Sequence, residues 1–538
     1  MEIKEISVPL QGVVGDYIKS DNKIQTCFDY ALTEEGFKQR LYDLRNRKFF
    51  RQELVEHLLE YNKQLQAGQS TIQNIEALAD ENTYVVIGGQ QAGLLTGPLY
   101  TVHKVISILQ LAKEKEASLG TRVVPVFWIA GEDHDVDEIN HTFVTKNKKI
   151  KKMIFHDRHS KKASASESEI SIEDCSKWIE EIFKTYPETN FTKDVLQFIQ
   201  EALEESSTYV DFFARLITKL FADTGLILVD SHHPNLRKLE VSFFKRIVSQ
   251  YKEVQEALHN QQQLVKEYGY KPIIETKQNA IHVFMQIDEE RVLLEEENGK
   301  FVGKSGAYSF SYEELIEEME KSPERFSNNV VTRPLMQEYL FPTVAFIGGP
   351  GEIAYWSELQ QVFHVFDFQM PPVVPRLTIS YMERDIITDL YDLNLKEEDP
   401  FVKDLEKLRE KWLSNQVEEP VEERFQEAKK NMMDIHSSLR QFVNRIDPGL
   451  KEFAGKNKRK IQEQIELLER MLKQNLERKH EVELNKFRRL QYALRPLGAP
   501  QERVWNVCYY LNQYGLDFVE RVTKQSYSWN GTHHVIKL

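Results

Sequence analysis

The chain has 538 residues, 41% of them hydrophobic, and no apolar run approaches the ~18 residues a membrane helix needs, so a large soluble protein of about two to four structural units is expected. With 70 Lys and Arg against 84 Asp and Glu the net charge is −14, which argues against a protein whose whole surface grips nucleic acid. The three cysteines, Cys27, Cys175 and Cys508, are far apart and odd in number, and the N-terminus has no basic segment leading into an apolar one. No disulfide framework, CxxC metal site, secretion or membrane insertion is expected, and a cytoplasmic setting follows.

Residues 1–80 read as mostly helical and lead into the strand Tyr84–Ile87. A glycine loop follows, carrying Gly88, Gly89, Gln90, Gln91, Gly93, Thr96 and Gly97. Pro98 then suits the first turn of a helix whose Val102, Val105, Ile106, Leu109 and Ala112 share one buried stripe. The glycines would let a ligand approach the backbone, and the amides and the hydroxyl would donate hydrogen bonds. His103 and Lys104 lie further along, where a cation could face a phosphate. The bland alternative is a tight strand-to-helix turn with ordinary polar residues. The loop is neither GxGxxG nor a Walker loop, since no GK[ST] closes it.

Arg122–Ile129 is a continuous apolar run of the kind found in a parallel sheet covered on both faces, and it completes a βαβ unit. It ends in Glu132, Asp133, His134 and Asp135, four ionisable groups crowded at a strand's carboxyl end. Mutual repulsion would shift their pKa values unless a cation is bound, and an amino group, a metal or a sugar hydroxyl would each satisfy them. The spacing matches no standard zinc pattern, and a solvated acidic helix start accounts for Asp137 and Glu138.

After Asn140 the lysine-rich run and the Ser, Lys and Ala repeats of 160–171 read as an inserted, partly mobile segment. A third buried strand, Gly225–Asp230, is followed by Ser231-His-His-Pro. Residues 270–310 alternate apolar and polar around Glu297-Asn-Gly-Lys, a hairpin signal that marks a small antiparallel insert. A second glycine loop, Val344-Ala-Phe-Ile-Gly-Gly-Pro-Gly-Glu-Ile-Ala-Tyr-Trp, repeats the strand–turn–helix grammar and carries Gly349, Gly351, Glu352, Tyr355 and Trp356. Glu352 suits a helix start by charge alone, and the aromatic pair could instead stack on a ring. Arg333 and Arg376 are candidate anion ligands, with a surface role as the alternative. Two such turns point to one shared crevice at the carboxyl ends of the strands.

Val421, Phe425, Ala428, Met432, Ile435, Leu439, Phe442 and Ile446 step by fours and threes as a heptad seam, and Asp447-Pro-Gly turns the chain into a second long helix. An antiparallel helical hairpin is expected. It leaves an apolar stripe that invites self-association as a homodimer.

The motifs Gly88-Gly-Gln-Gln-Ala-Gly-Leu-Leu-Thr-Gly-Pro, Trp128-Ile-Ala-Gly-Glu-Asp-His-Asp and Gly348-Gly-Pro-Gly-Glu-Ile-Ala-Tyr-Trp together resemble the bacillithiol-biosynthesis cysteine-adding enzyme family, over essentially the whole chain. The resemblance implies an α/β fold: a Rossmann-like parallel sheet core, similar to that of class I aminoacyl-tRNA synthetases, with connective-peptide insertions and an α-helical antiparallel coiled-coil domain. The core is expected over 1–384 with insertions near 145–205 and 265–325, the coiled coil over 385–497, and a segment returning to the core over 498–538. The implied activity is a ligase that adds cysteine to glucosaminyl-malate, with ATP as the expected cosubstrate and no metal assigned. In that scheme Gly88, Gly89, Gln90, Gln91, Gly93, Thr96, Gly97 and Lys104 hold nucleotide, and His103 assists. Asp133, His134 and Asp135 orient the reacting groups, and Glu132, Arg333, Gly349, Gly351, Glu352, Tyr355, Trp356 and Arg376 bind substrate. Neither a literal HIGH nor a KMSKS motif is present. The competing expectations are another adenylate-forming or nucleotidyl-transfer enzyme acting on a small amine, and a non-catalytic nucleotide-sensing coiled-coil dimer.

Overall fold

The computed structural model describes the chain except residues 134, 157–163, 276 and 288–289 and the side chain of residue 305. The first glycine-loop strand, β1 (Thr83–Gln90), lies at the centre of a five-stranded sheet with β2 (Arg122–Ile129), β3 (Ile227–Asp230), β4 (Thr343–Gly348) and β5 (Val373–Pro375). The spatial order is β5-β4-β1-β2-β3 and every pairing is parallel. This is a doubly wound, Rossmann-like sheet in which the strand order reverses between β1 and β4. The apolar run in β2 has the reason expected for it: every residue from Val123 to Ile129 is buried, as a strand covered on both faces requires.

Helix α1 (Leu99–Leu119) follows the first loop and buries Val102, Val105, Ile106 and Ala112, with Gly120 in the left-handed conformation at its end. Helices α2 (Pro234–Ser249), α3 (Thr332–Leu340) and α4 (Pro350–Trp356) follow β3, precede β4 and follow β4. The antiparallel insert forms a separate five-stranded sheet whose Glu297↔Lys300 pairing is closed by Asn298 and Gly299, both with positive φ. The lysine-rich run after Asn140, read as an inserted segment, is an antiparallel hairpin, His141–Lys146 with Lys149–Ile154. Of the 160–171 stretch read as partly mobile, 160–163 lies outside the described residues, and 164–171 forms hydrogen-bonded turns that run to a helix capped by Ser171.

The chain divides into two compact units. One comprises Ile3–Ser380 with Gln501–Val535 and contains the parallel sheet. The other comprises Tyr381–Pro500 with Met1–Glu2 and Ile536–Leu538. In this second unit α5 (Val421–Ile446) and α6 (Lys451–Lys479) form the expected hairpin, joined by Lys429–Glu469 at 2.6 Å and His436–Asn457 at 3.1 Å, and α7 (Glu481–Leu494) continues the chain. The C-terminal half of the heptad seam lies outside the hairpin's own contact: Met432, Ile435, Leu439, Phe442 and Ile446 are all exposed. Among the described residues no helix is long and apolar enough to cross a membrane.

Candidate active site

A cavity of about 310 Å³ opens where the strand order reverses, at the carboxyl ends of β1, β2 and β4. Gly89, Gln90 and Gln91 reach it from the first loop, Ala130 and Asp133 from the end of β2, and Gly349, Gly351, Glu352 and Tyr355 from the second loop and α4. Tyr100, Lys104, Arg333, Arg376 and Arg503 complete its polar wall. The two glycine turns therefore share one crevice, as their grammar implied.

The turns are also tied to each other. The Lys104 ammonium, buried on α1, donates to the Gly89 carbonyl at 2.6 Å, to Gln90 Oε1 at 3.2 Å and to Glu352 Oε2 at 2.5 Å. Glu352 Oε2 in turn accepts the Gly349 N–H at 2.7 Å, closing the start of α4. Burial lowers the Lys104 pKa, with Glu352 opposing. Lys104 is thus neutralised within the protein and does not face a phosphate as a free cation.

The glycines divide by role. A Cβ on Gly89 would come within 2.9 Å of the Trp128 carbonyl and one on Gly88 within 3.1 Å of the Ile347 carbonyl, so both allow β1 to sit tightly between its neighbours. Gly93 and Gly97 pack against each other, and Thr96 is buried with a positive φ. Gly88, Gly93, Thr96 and Gly97 do not line the cavity, which corrects the expectation that the whole loop contacts a ligand. They shape the turn.

His103 is a second correction. It is fully buried, its Nδ1 lies 3.0 Å from Glu502 Oε2, and it is absent from the cavity lining. Glu502 also takes two bonds from Arg376, Nη1 at 2.8 Å and Nη2 at 2.6 Å. Burial would raise the Glu502 carboxyl, but Arg376 and His103 hold it far below the usual carboxylate range. Burial also lowers the His103 pKa. Arg376 does reach the cavity, but as one arm of a buried ion pair.

The acidic strand end separates rather than crowds. Glu132 turns inward, wholly buried, and accepts from Arg237 Nη2 at 2.5 Å and Arg333 Nε at 3.0 Å. Burial alone would push its pKa up; the arginines outweigh that and hold it at about 2. This is the opposite of mutual repulsion, because Glu132 has two arginines of its own. Asp133 faces the cavity, with Gln91 Nε2 donating to its Oδ2 at 2.8 Å. Asp135 is exposed at the start of a short helix and away from the lining, and His134 lies outside the described residues. The inserted segment braces this corner, since Ala165 N–H donates to the Asp133 carbonyl at 2.8 Å and Ser166 Oγ donates to Asp230 at 3.0 Å.

Trp356 is a third correction: it is buried and stacks on Phe346 at 4.3 Å between ring centroids, in the core rather than against a ligand. Tyr355 alone of the aromatic pair lines the cavity.

Sequence reading missed Tyr100, Arg237, Glu502 and Arg503. Tyr100 had a signal, one turn before Lys104 on the same helix. The others belong to no motif, and Glu502 and Arg503 come from the C-terminal return of the chain. That return also holds the first loop, through Asn506 Nδ2 to the carbonyls of Leu95 and Gly97, both at 2.7 Å, and Leu99 N–H to the Trp505 carbonyl at 2.8 Å. Among the described residues no group of three or more His, Cys, Asp or Glu side chains is arranged to hold a metal ion.

The arrangement can bind a small polar molecule bearing anionic groups beside one carboxylate. Residues 1–377 match the family described as bacillithiol biosynthesis BshC, N-terminal Rossmann-like domain, and residues 379–538 match the BshC C-terminal coiled-coil domain. Over all 538 residues, and the full length of each relative, the chain is 98% identical to a protein of Bacillus cytotoxicus, 78% to one of Bacillus mycoides and 77% to one of Bacillus cereus. Each of these carries the name "Putative cysteine ligase BshC". With both of its parts matched and full-length relatives this similar, the chain belongs to the BshC family of bacillithiol biosynthesis.

Proposed function

We propose that this chain is a cytoplasmic ligase that joins the carboxylate of cysteine to the amine of glucosaminyl-malate as an amide, with ATP as activating cosubstrate. The observation that supports this most is the single cavity between the two glycine turns, at the sheet position where doubly wound proteins bind ligands. Its lining suits both substrates: Arg333 and Arg503 for carboxylates, and Asp133 with Gln91 for an amino group.

Amide formation from a free carboxylate is uphill in water. A carboxylate oxygen of cysteine attacking a phosphorus of ATP, with loss of pyrophosphate or ADP, would become part of a phosphate leaving group. The amine then displaces that group as AMP or phosphate while losing a proton. Lys104, Arg376 and Arg333 are matched by Glu352, Glu502 and Glu132, Arg333 through its Nε alone. Arg503 is therefore the lining cation suited to an anionic cosubstrate, and the terminal amines of Arg333 are suited to a substrate carboxylate. The remaining work belongs to this chain. Asp133 orients the amine, the Tyr355 and Tyr100 rings flank the reactants, and holding amine and acyl group together supplies the proximity term. A dimer through the exposed seam of α5 is part of the same proposal.

Purified protein is incubated with cysteine and glucosaminyl-malate, with ATP, with GTP or with no nucleotide, and product is followed by mass. Amide product with ATP alone is expected. No product under any condition sinks the ligase reading, and equal product without nucleotide removes ATP from it.

A further inference from the structure

Behind the cavity wall runs a file of buried charges that alternate in sign. Glu240 Oε2 accepts from Arg237 Nη1 at 2.5 Å, Arg237 Nη2 reaches Glu132 Oε2 at 2.5 Å, and Glu132 Oε1 accepts the Arg333 Nε at 3.0 Å. The side chains of Glu240, Arg237 and Glu132 are fully buried and none lines the cavity, whereas Arg333 does and keeps 24% of its side chain exposed. Arg291 adds a further cation near Glu132, with its Nε on Ser327 Oγ at 2.9 Å.

Such a file is a poor way to gain stability, because desolvating each charge costs several kcal/mol and apolar residues of similar volume serve a core as well or better. Its geometry has a different use. Glu132 holds Arg333 by Nε, the one guanidinium nitrogen that leaves the two terminal amines together as a planar fork, and that fork matches a carboxylate. Arg333 is carried on the first turn of α3, where Pro334 is tolerated because its missing N–H has no intrahelical partner to lose. Around Glu132 stand three arginines, 237, 291 and 333, with Asp133 and Glu240 as the other carboxylates of the group, so it is the direction of the Arg333 fork rather than an excess of charge that a ligand would meet.

We infer that Glu132 and Arg237 are positioning residues, which hold Arg333 with its terminal amines presented to the cavity as a preset fork for a substrate carboxylate. This reassigns Glu132 from a substrate contact to a support. The inference rests on the reading of the cavity as the substrate site.

The test is a double-mutant cycle on the full-length protein, with glucosaminyl-malate binding measured by titration calorimetry and thermal midpoints taken on the same samples. Arg333→Ala and Glu132→Gln should each weaken binding about 10-fold or more, and Glu132→Gln should add nothing once Arg333 is alanine. Glu132→Asp keeps the charge but withdraws it by one methylene, and should fall between Glu132→Gln and the native protein. If Glu132→Gln does not fold, Glu132→Asp carries the same cycle. Unchanged binding in Arg333→Ala removes the cavity reading itself. Loss in Arg333→Ala with native affinity in the Glu132 variants, or with fully additive effects, overturns the positioning role alone.

Discussion

Asp133 is the described acidic side chain of the β2 terminus that faces the cavity, so it carries what remains of the electrostatic argument made for that strand end. Asp133→Asn preserves size and should leave the thermal midpoint near that of the native protein while lowering product formation about 100-fold, the scale of an orienting group. Native turnover in the variant would take Asp133 out of the site. His103→Ala should do the reverse. It empties a buried volume and strips a partner from Glu502, costing about 2–4 kcal/mol in denaturant unfolding, with nucleotide affinity in the folded fraction unchanged. The distinction between His103 and Lys104 was within reach of the sequence. Adjacent helix residues are about 100° apart, so a helix with one face toward a crevice rarely presents both. What the sequence lacked was the partner: nothing about Glu502 marks it as the acid that His103 and Arg376 share.

Strands β1, β2 and β4 were legible because a strand buried on both faces must be apolar throughout and the turn after it needs glycine. The heptad was legible for a similar reason, since its period is written in the residues. Which side of α5 meets α6 was not, because Lys429 and His436 bridge to α6 while the seam from Met432 to Ile446 is exposed. The clasp of Asn506 on the first loop was equally silent, as a side-chain amide bonding two distant carbonyls leaves no pattern. The outward seam carries a prediction. Leu439 is 56% exposed within one chain, so Leu439→Glu should leave helical content and thermal midpoint of the monomer unchanged. Light scattering should nonetheless show a dimer becoming a monomer. A persistent dimer would place self-association elsewhere.

At the scale of the whole molecule, several histidines are buried in neutral form. Burial lowers His282 and His533 from 6.5 to about 4. A group whose folded pKa lies below its unfolded value contributes stability above the unfolded pKa and loses it as pH falls toward the folded one. Glu132, held at about 2 against an ordinary 4.5, acts in the same direction at lower pH. Glu240, pushed up to about 7 by burial, acts the other way between ~7 and ~4.5, but His57, lowered to about 3, joins His282 and His533 against it. Stability should therefore hold above pH ~6.5, fall progressively between ~6.5 and ~4, and fall further below that, as a thermal-shift series would show. A midpoint rising on acidification from pH 7 to 5 would contradict this. The cavity has a separate consequence for how substrate arrives. Its described lining carries four cations, Lys104, Arg333, Arg376 and Arg503, and four carboxylates lie on or directly behind that wall, Asp133, Glu352, Glu132 and Glu502, so the site is near balance while the chain as a whole has a net charge of −14. A dicarboxylate approaching from bulk solvent meets a repelling field, screened beyond a Debye length of ~10 Å at 0.1 M salt, and finds attraction only at contact with the individual arginines of the wall. Added salt screens the outer field more than the partly buried inner one. The encounter rate should accordingly rise with ionic strength over the range where the bound complex is little weakened, the reverse of ordinary electrostatic steering.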